Sequence, residues 1–290
     1  MELLKTPEEL KTYCTNVNRP LGIVPTMGSI HEGHLELVRQ AKAECTTVLA
    51  TLFVNPTQFE QQGDFDSYPR DLVKDSNILS AASIHALYAP EASLVYPNGF
   101  STSISVNGVS SAMEGLVRPG HFEGVATIVA KLLIGTGADY AYFGRKDAQQ
   151  LAVIKRMVAD LEIPSHIREV ETIREPDGLA LSSRNRLLDS DQRAVAPVLY
   201  RALVAAGKAF DNGERRSSTI IGIAHEMLEN IQREGILTSI DYIEMVNPDS
   251  MQPWKSGNAM LAGAIHLGNI RIIDNIILGD NYIDEIHSEE

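Results

Sequence analysis

The sequence predicts an α/β protein in two parts, a doubly wound parallel-sheet domain and a smaller α+β C-terminal domain. Three observations carry this. Up to about Glu175, short apolar runs rich in β-branched residues alternate with helix-like stretches, the rhythm of a parallel sheet covered on both faces. Near Pro176 the order changes to two long helical stretches followed by three strand-like runs. At 290 residues, with roughly 100–200 residues per domain, the chain has room for both. The expected domains are 1–175 and 176–290.

Thr6-Pro7-Glu8-Glu9 supplies an N-cap, a proline for the first helical position and a glutamate to close a capping box, so a short helix should run to about Tyr13. Leu21-Gly22-Ile23-Val24 is a brief strand ended by Pro25-Thr26-Met27-Gly28. From Gly33-His34 a helix should place Leu35, Val38 and Lys42 on one face, with Leu37 and Ala41 beside them. Thr46 to Val54 has the look of a buried parallel strand. Strand, helix and strand fit the roughly 30 residues of a βαβ unit. The alternation continues with a helix from Pro69 to about Ala82, a strand at Ala86–Tyr88, a helix from Gly124 to Ile134, a strand at Tyr140–Phe143, a helix from Asp147 to Leu161 and a strand within His166–Ile173. Beyond Pro176 come helices over about Ser190–Phe210, where Pro197 is able to kink the chain, and Ser217–Glu234. Strands follow at Ser239–Val246, Ala259–Leu267 and Ile270–Leu278, the last two joined by a Gly268-Asn269 hairpin turn.

Hydrophobic residues make up 44% of the chain, close to the roughly 45–50% of globular proteins. The 25 basic and 38 acidic residues leave a net charge of −13. The acidity is spread: 15 basic against 21 acidic residues up to Glu175, and 10 against 17 beyond it. Neither part has the basic excess that a nucleic-acid backbone calls for. The N-terminal stretch has no apolar signal region, the longest apolar runs are too short to span a bilayer, and Cys14 and Cys45 are the only cysteines. A reduced cytoplasmic protein is expected.

Chemistry concentrates where strands hand over to helices, the carboxyl edge at which open α/β sheets bind ligands. In Pro25-Thr26-Met27-Gly28-Ser29-Ile30-His31-Glu32-Gly33-His34, two glycines allow close backbone approach, and the helix N-terminus should offer free N–H groups to an anion. His31 and His34, three apart, share a face and would make a phosphate clamp. The alternatives are a surface and a capping histidine, or, less in keeping with the spacing, a zinc site.

His31-Glu32-Gly33-His34 resembles the His-x-Gly-His element of the nucleotidyltransferase and class I aminoacyl-tRNA synthetase superfamily. The longer Pro-Thr-Met-Gly-x-x-His-x-Gly-His string resembles the pantoate–β-alanine ligases. So do Phe53 to Phe59, Tyr68-Pro69-Arg70, Arg118 to Phe122, Gly144 to Gln150, Arg174 to Asn185 and Leu267 to Asn275, in order and along essentially the whole chain. The resemblance implies a Rossmann-like first domain and a second domain closing over it. It also implies a two-step reaction. Pantoate attacks the α-phosphate of ATP, giving pantoyl adenylate and pyrophosphate; β-alanine then attacks the acyl group, giving pantothenate and AMP. Mg²⁺ would accompany ATP, and a homodimer is implied.

It further implies ATP contacts at Met27, Gly28, Ser29, Ile30, His31, Glu32, Gly33 and His34, at Gly144, Arg145, Lys146 and Asp147, and at Ile173, Leu181, Ser182, Ser183 and Arg184. His34, His31 and Lys146 would be catalytic, and Asp147 would help hold Mg²⁺. Gln58 would touch pantoate and β-alanine, Gln150 pantoate, with Met27 and Pro25 as an apolar wall. Taken alone, each motif also has a plain reading. Asn55-Pro56-Thr57-Gln58 can satisfy its own loop, Gly144-Arg145-Lys146-Asp147 can be a solvated helix start, Leu181 to Asn185 a polar linker, and Arg118-Pro119-Gly120-His121 a turn and cap. Arg145 stands where the family usually has Glu, and Leu181 where it has Met. If position 145 meets ATP through its backbone, little changes. A dinucleotide-forming nucleotidyltransferase, a class I aminoacyl-tRNA synthetase and a non-catalytic nucleotide sensor are the competing classes. The first would not need Gln58 and Gln150 together, the charge disfavours the second, and the third has no use for two phosphate clamps.

Overall fold

Strand formation begins earlier than expected. Glu2–Leu4 is β1, and it pairs in parallel with Ala86–Tyr88. The computed structural model describes residues 1–59, 62–233 and 235–279. The chain divides into two compact units, one of Met1–Arg145 with Gln150–Glu171, the other of Lys146–Gln149 with the chain from Thr172 on.

In the first unit, α1 (Pro7–Asn16) starts on the expected capping box, with Glu9 N–H on Thr6 Oγ1 at 3.1 Å and the Glu9 carboxylate on the Thr6 N–H. It is followed by β2 (Leu21–Val24), α2 (Glu32–Glu44), β3 (Thr47–Thr51), α3 (Gln62–Ser67), α4 (Leu72–Ala81), β4 (Ala86–Tyr88) and the short α5 (Ala92–Val95) and α6 (Glu114–Val117). Next come α7 (His121–Thr136), β5 (Tyr140–Gly144), α8 (Ala148–Asp160) and β6 (His166–Val170). On α2 the buried residues are Leu37, Val38 and Ala41. This face is turned slightly from the expected one: Lys42 is exposed and donates to Ala82 O at 2.9 Å.

The strands form one parallel sheet in the order β1-β4-β3-β2-β5-β6. Every residue of β2, β3 and β4 is buried, as strands covered on both faces require. Chain order reverses at β2, which has β3 on one side and β5 on the other. Such a switch point opens a crevice at the carboxyl ends of the strands. The segments leaving β2, β3 and β5 there are the ones that carry the sequence motifs.

In the second unit, Pro197 does more than kink a helix. Without an N–H to donate, it separates α9 (Ser190–Val195) from α10 (Val198–Asp211). Then come α11 (Ser217–Arg233), β7 (Leu237–Val246), β8 (Ala259–Leu267) and β9 (Ile270–Leu278). Glu234, the expected end of α11, lies outside the described residues. The three strands form an antiparallel sheet, β7-β8-β9. Leu199, Leu203, Ile220, Ala224, Leu228, Leu261 and Ile265 are fully or almost fully buried in its core.

Candidate active site

The loop after β2 is braced from beneath by a carboxylate. Asp75 on α4 is 2% exposed, and its two oxygens accept the N–H groups of Ser29 (2.7 Å) and Ile30 (2.9 Å). A Cβ on Gly28, at φ +88°, would come within 2.9 Å of Asp75 Oδ2, so the glycine serves both the backbone conformation and this approach. The Gly28 N–H faces Thr26 Oγ1 at 3.3 Å, and the Leu35 N–H reaches His31 O. The expectation of free amides for an anion therefore does not hold for most of this loop. Its N–H groups are turned inward onto Asp75, Thr26 and the helix cap, and charge on a ligand must be met chiefly by side chains. Ser29 Oγ, by contrast, is buried with no hydrogen-bond partner among the described residues.

The two histidines form the cap of α2. His31 is its N-cap, with Nδ1 accepting the Gly33 N–H at 3.2 Å, and His34 Nδ1 accepts the His31 N–H at 3.3 Å. The rings lie 4.0 Å apart between centroids, tilted by 39°. A ring nitrogen that accepts a backbone N–H carries no proton, so each imidazole holds its hydrogen on Nε2. The capping reading and the phosphate-clamp reading of these residues are thus compatible. Nδ1 does the first and Nε2–H would serve the second. Glu32, in the same turn, is ion-paired with Arg39.

After β3 the chain enters a single 3-10 turn, Pro56–Gln58, capped by Asn55. Asn55 is 1% exposed, and its polarity is fixed on both sides. Its Oδ1 accepts from Tyr96 OH (2.8 Å) and Thr57 Oγ1 (3.0 Å), while its Nδ2 donates to Gly124 O (3.1 Å) and Gln58 Oε1 (3.2 Å). Burial pushes the Tyr96 phenol up against the lowering effect of its hydrogen bonds, so it stays a donor. Gln58 is left presenting Nε2–H, 2.9 Å from Met27 Sδ. Its backbone carbonyl is held by His121 Nδ1 at 2.9 Å and Arg118 at 3.4 Å. Arg118 to His121, which reads as a plain turn in sequence, is therefore a brace for the Gln58 turn.

At the end of β5, Gly144 has open space where a Cβ would stand. The Arg145 guanidinium is ion-paired with Glu169 (3.3 Å) and Glu171, which accounts for a basic residue at this position and ties its side chain to β6 and the residue after it. Gln150, half-buried, stands near the start of α8.

In the second unit, Lys146 Nζ lies 3.6 Å from Asp147 Oδ1, and Asp147 is half-exposed. Arg174 and Ala180 bridge in antiparallel fashion, and Leu181 N–H donates to Ile173 O at 2.9 Å, so Ile173 and Leu181 lie side by side across a hairpin. At its tip Asp177 is paired with Arg193 and accepts the Leu179 N–H. Burial pushes its carboxyl up, but these hydrogen bonds win and hold it below the usual range. Gly178, at φ +95°, lies where a Cβ would meet the Tyr200 ring at 2.5 Å. Arg174 stacks over that ring at 3.8 Å and reaches Asp274 with two hydrogen bonds of 2.6 and 2.9 Å. The hairpin delivers Ser182, whose Oγ caps the 3-10 turn Ser183–Leu187 by accepting the Arg184 N–H at 3.3 Å.

Asp75 lies outside every quoted string, and Arg174 and Asp274, though inside them, take their roles from partners remote in sequence. Asp75 leaves a trace of its own: it lies four residues before Leu79, an acid on the apolar face of α4.

The family model for pantoate–β-alanine ligase matches residues 2–277. The chain belongs to the pantoate–β-alanine ligase family. It is therefore an enzyme, a ligase. It is 46% identical over 284 residues to the pantothenate synthetase of Pelotomaculum thermopropionicum, covering 96% of this chain and 99% of that protein. The crystal structure of the Thermus thermophilus pantothenate synthetase has 41% identity and a TM-score of 0.90, over 96% of this chain and 99% of that one. The Francisella tularensis pantoate–β-alanine ligase, complexed with beta-gamma ATP and β-alanine, has 31% identity and a TM-score of 0.81, over 97% and 99%. Family membership sets the dinucleotide-forming, aminoacyl-tRNA and sensor readings aside.

Proposed function

We propose that this ligase makes pantothenate from pantoate, β-alanine and ATP through a pantoyl adenylate, with His31, His34, Lys146, Ser182 and Ser183 acting on the phosphates. The observation that carries this is the state of the two imidazoles at the start of α2. Both Nδ1 atoms accept backbone N–H groups, which fixes each ring as the Nε2–H tautomer at one helix start. Donors fixed before the reaction stabilise charge that develops only in the transition state.

In the first step a pantoate carboxylate oxygen bonds to the α-phosphorus of ATP while the bond to the bridging oxygen breaks and pyrophosphate leaves. His34 Nε2–H donates to the charge growing on the departing group, and His31 and Lys146 share the phosphate charge. The hydroxyls of Ser182 and Ser183, with Arg184, hold the β- and γ-phosphates. Gln58 donates through Nε2–H to a pantoate oxygen and Gln150 supplies a second amide, with Met27 and Pro25 as the apolar wall. The Met27-to-His34 loop lies along ATP, Gly144 and Arg145 meet it through backbone, and Ile173 and Leu181 flank the adenine. In the second step the β-alanine amine, near Gln58, attacks the acyl carbon, loses a proton and expels AMP.

The family implies Mg²⁺. Among the described residues no cluster of three or more His, Cys, Asp or Glu side chains is set to hold a metal. A half-exposed Asp147 beside Lys146 suits instead a cation that arrives on ATP and takes one carboxylate. Bound there, Mg²⁺ would neutralise phosphate charge.

No helix among the described residues is long and apolar enough to cross a membrane. A cytoplasmic homodimer belongs to the same proposal. The reaction is tested by product stoichiometry: pantothenate, AMP and pyrophosphate should appear in equal amounts, whereas ADP with inorganic phosphate would overturn the adenylate.

A further inference from the structure

Two neighbouring residues on β9 hold two separate segments of the second unit that are assigned to the phosphates. Asp274, 4% exposed, receives two hydrogen bonds from Arg174, at the base of the hairpin that leads to Ser182 and Ser183. Asn275, 8% exposed, donates from Nδ2 to the backbone carbonyl of Lys146 at 2.9 Å, across 129 residues of sequence. The Asn275 N–H in turn lies 2.8 Å from Asp274 Oδ1.

The chemistry of these contacts is that of placement. A carbonyl only accepts, so the Asn275 amide must present its NH₂ to Lys146, and no hydrophobic or acidic residue of similar size can replace that contact. Lys146 lies between β5 and α8, where its Cα position decides where a flexible four-carbon stem delivers its charge. The buried Arg174–Asp274 pair is costly to desolvate, so it serves register more readily than stability.

We propose that Asn275 is a positioning residue for adenylation: it sets Lys146 through the main chain, on a strand that Asp274 locks to the hairpin carrying Ser182 and Ser183. This rests on the catalytic reading of Lys146, and the test separates the two. Single-turnover release of pyrophosphate from ATP and pantoate, without β-alanine, is measured for Asn275→Ala, Lys146→Ala and the double variant. Asn275→Ser is run in parallel in case the alanine variant folds poorly. Asn275→Ala should lower the rate roughly 10- to 100-fold, as small misplacement of a catalytic group does. The pantoate KM should be nearly unchanged, and the melting temperature should match that of wild type within a few degrees. In the Lys146→Ala background the same substitution should change the rate less than twofold, because its target is gone. An equal fold-loss in both backgrounds, or no loss in the single variant while Lys146→Ala is strongly impaired, would overturn the positioning role. A Lys146→Ala enzyme with wild-type rate would instead overturn the catalytic reading of Lys146, and the proposal with it.

Discussion

Each imidazole at the start of α2 has two tasks on two nitrogens, and the His34 ring shows how they separate. Its Nδ1 closes the cap by accepting the His31 N–H, and its Nε2–H is assigned to the phosphates. His34→Ala should slow adenylation by about 10²–10³, the usual effect of removing one preorganised donor. The ring is half-buried, so a further loss of about 0.5–2 kcal/mol of stability is expected from the cap. Single-turnover pyrophosphate release and a denaturant melt measure the two separately. A stability loss with wild-type adenylation would leave His34 as a cap alone. Asp75 is the complementary case, a residue with no assigned contact to substrate that shapes the loop. Asp75→Asn keeps the volume but sets an NH₂ against one of the Ser29 and Ile30 amides. That should cost about 1–3 kcal/mol of stability and raise the KM for ATP. An unchanged KM in a destabilised variant would show that the loop does not depend on its brace.

At the level of elements, close packing of α7 against the Asn55–Gln58 turn sets the amide that is assigned to pantoate. A Cβ at Gly124 would stand 2.5 Å from Thr57 O and 2.8 Å from Gln58 N, both backbone atoms with little freedom to move. Gly124→Ala should therefore raise the pantoate KM in steady-state assays and destabilise the fold by about 1–3 kcal/mol, the usual range for overpacking. A pantoate KM equal to wild type would detach Gln58 from pantoate binding. The elements themselves were unequally legible. Ala259–Leu267 and Ile270–Leu278 could be bounded correctly from sequence, since long apolar runs flank a Gly-Asn turn. Glu2–Leu4 could not: three residues, two of them exposed, carry no periodicity, and only pairing with β4 makes them a strand. At Pro197 the sequence shows that a helix is disturbed, but whether it bends or breaks depends on how the flanking turns pack.

Across the whole molecule, each compact unit carries its own share of the proposed machinery: the histidine loop, Gln58 and Gln150 in one, Lys146, Ser182 and Ser183 in the other. The residues assigned to substrate were legible because they lie in short strings at strand ends. The bracing roles were not, because Asp75 acts across 46 positions and Asn275, though it ends a quoted string, acts across 129. With a net charge of −13 the protein as a whole repels ATP, so capture must come from these local donors. In the proposed reaction adenylation is a separate chemical step, completed before β-alanine is needed. It is tested most directly by following exchange of labelled pyrophosphate into ATP with pantoate present and β-alanine absent. Exchange should require pantoate and be lost in the His34→Ala enzyme. No exchange by well-folded wild-type protein, or exchange that proceeds without pantoate, would contradict it.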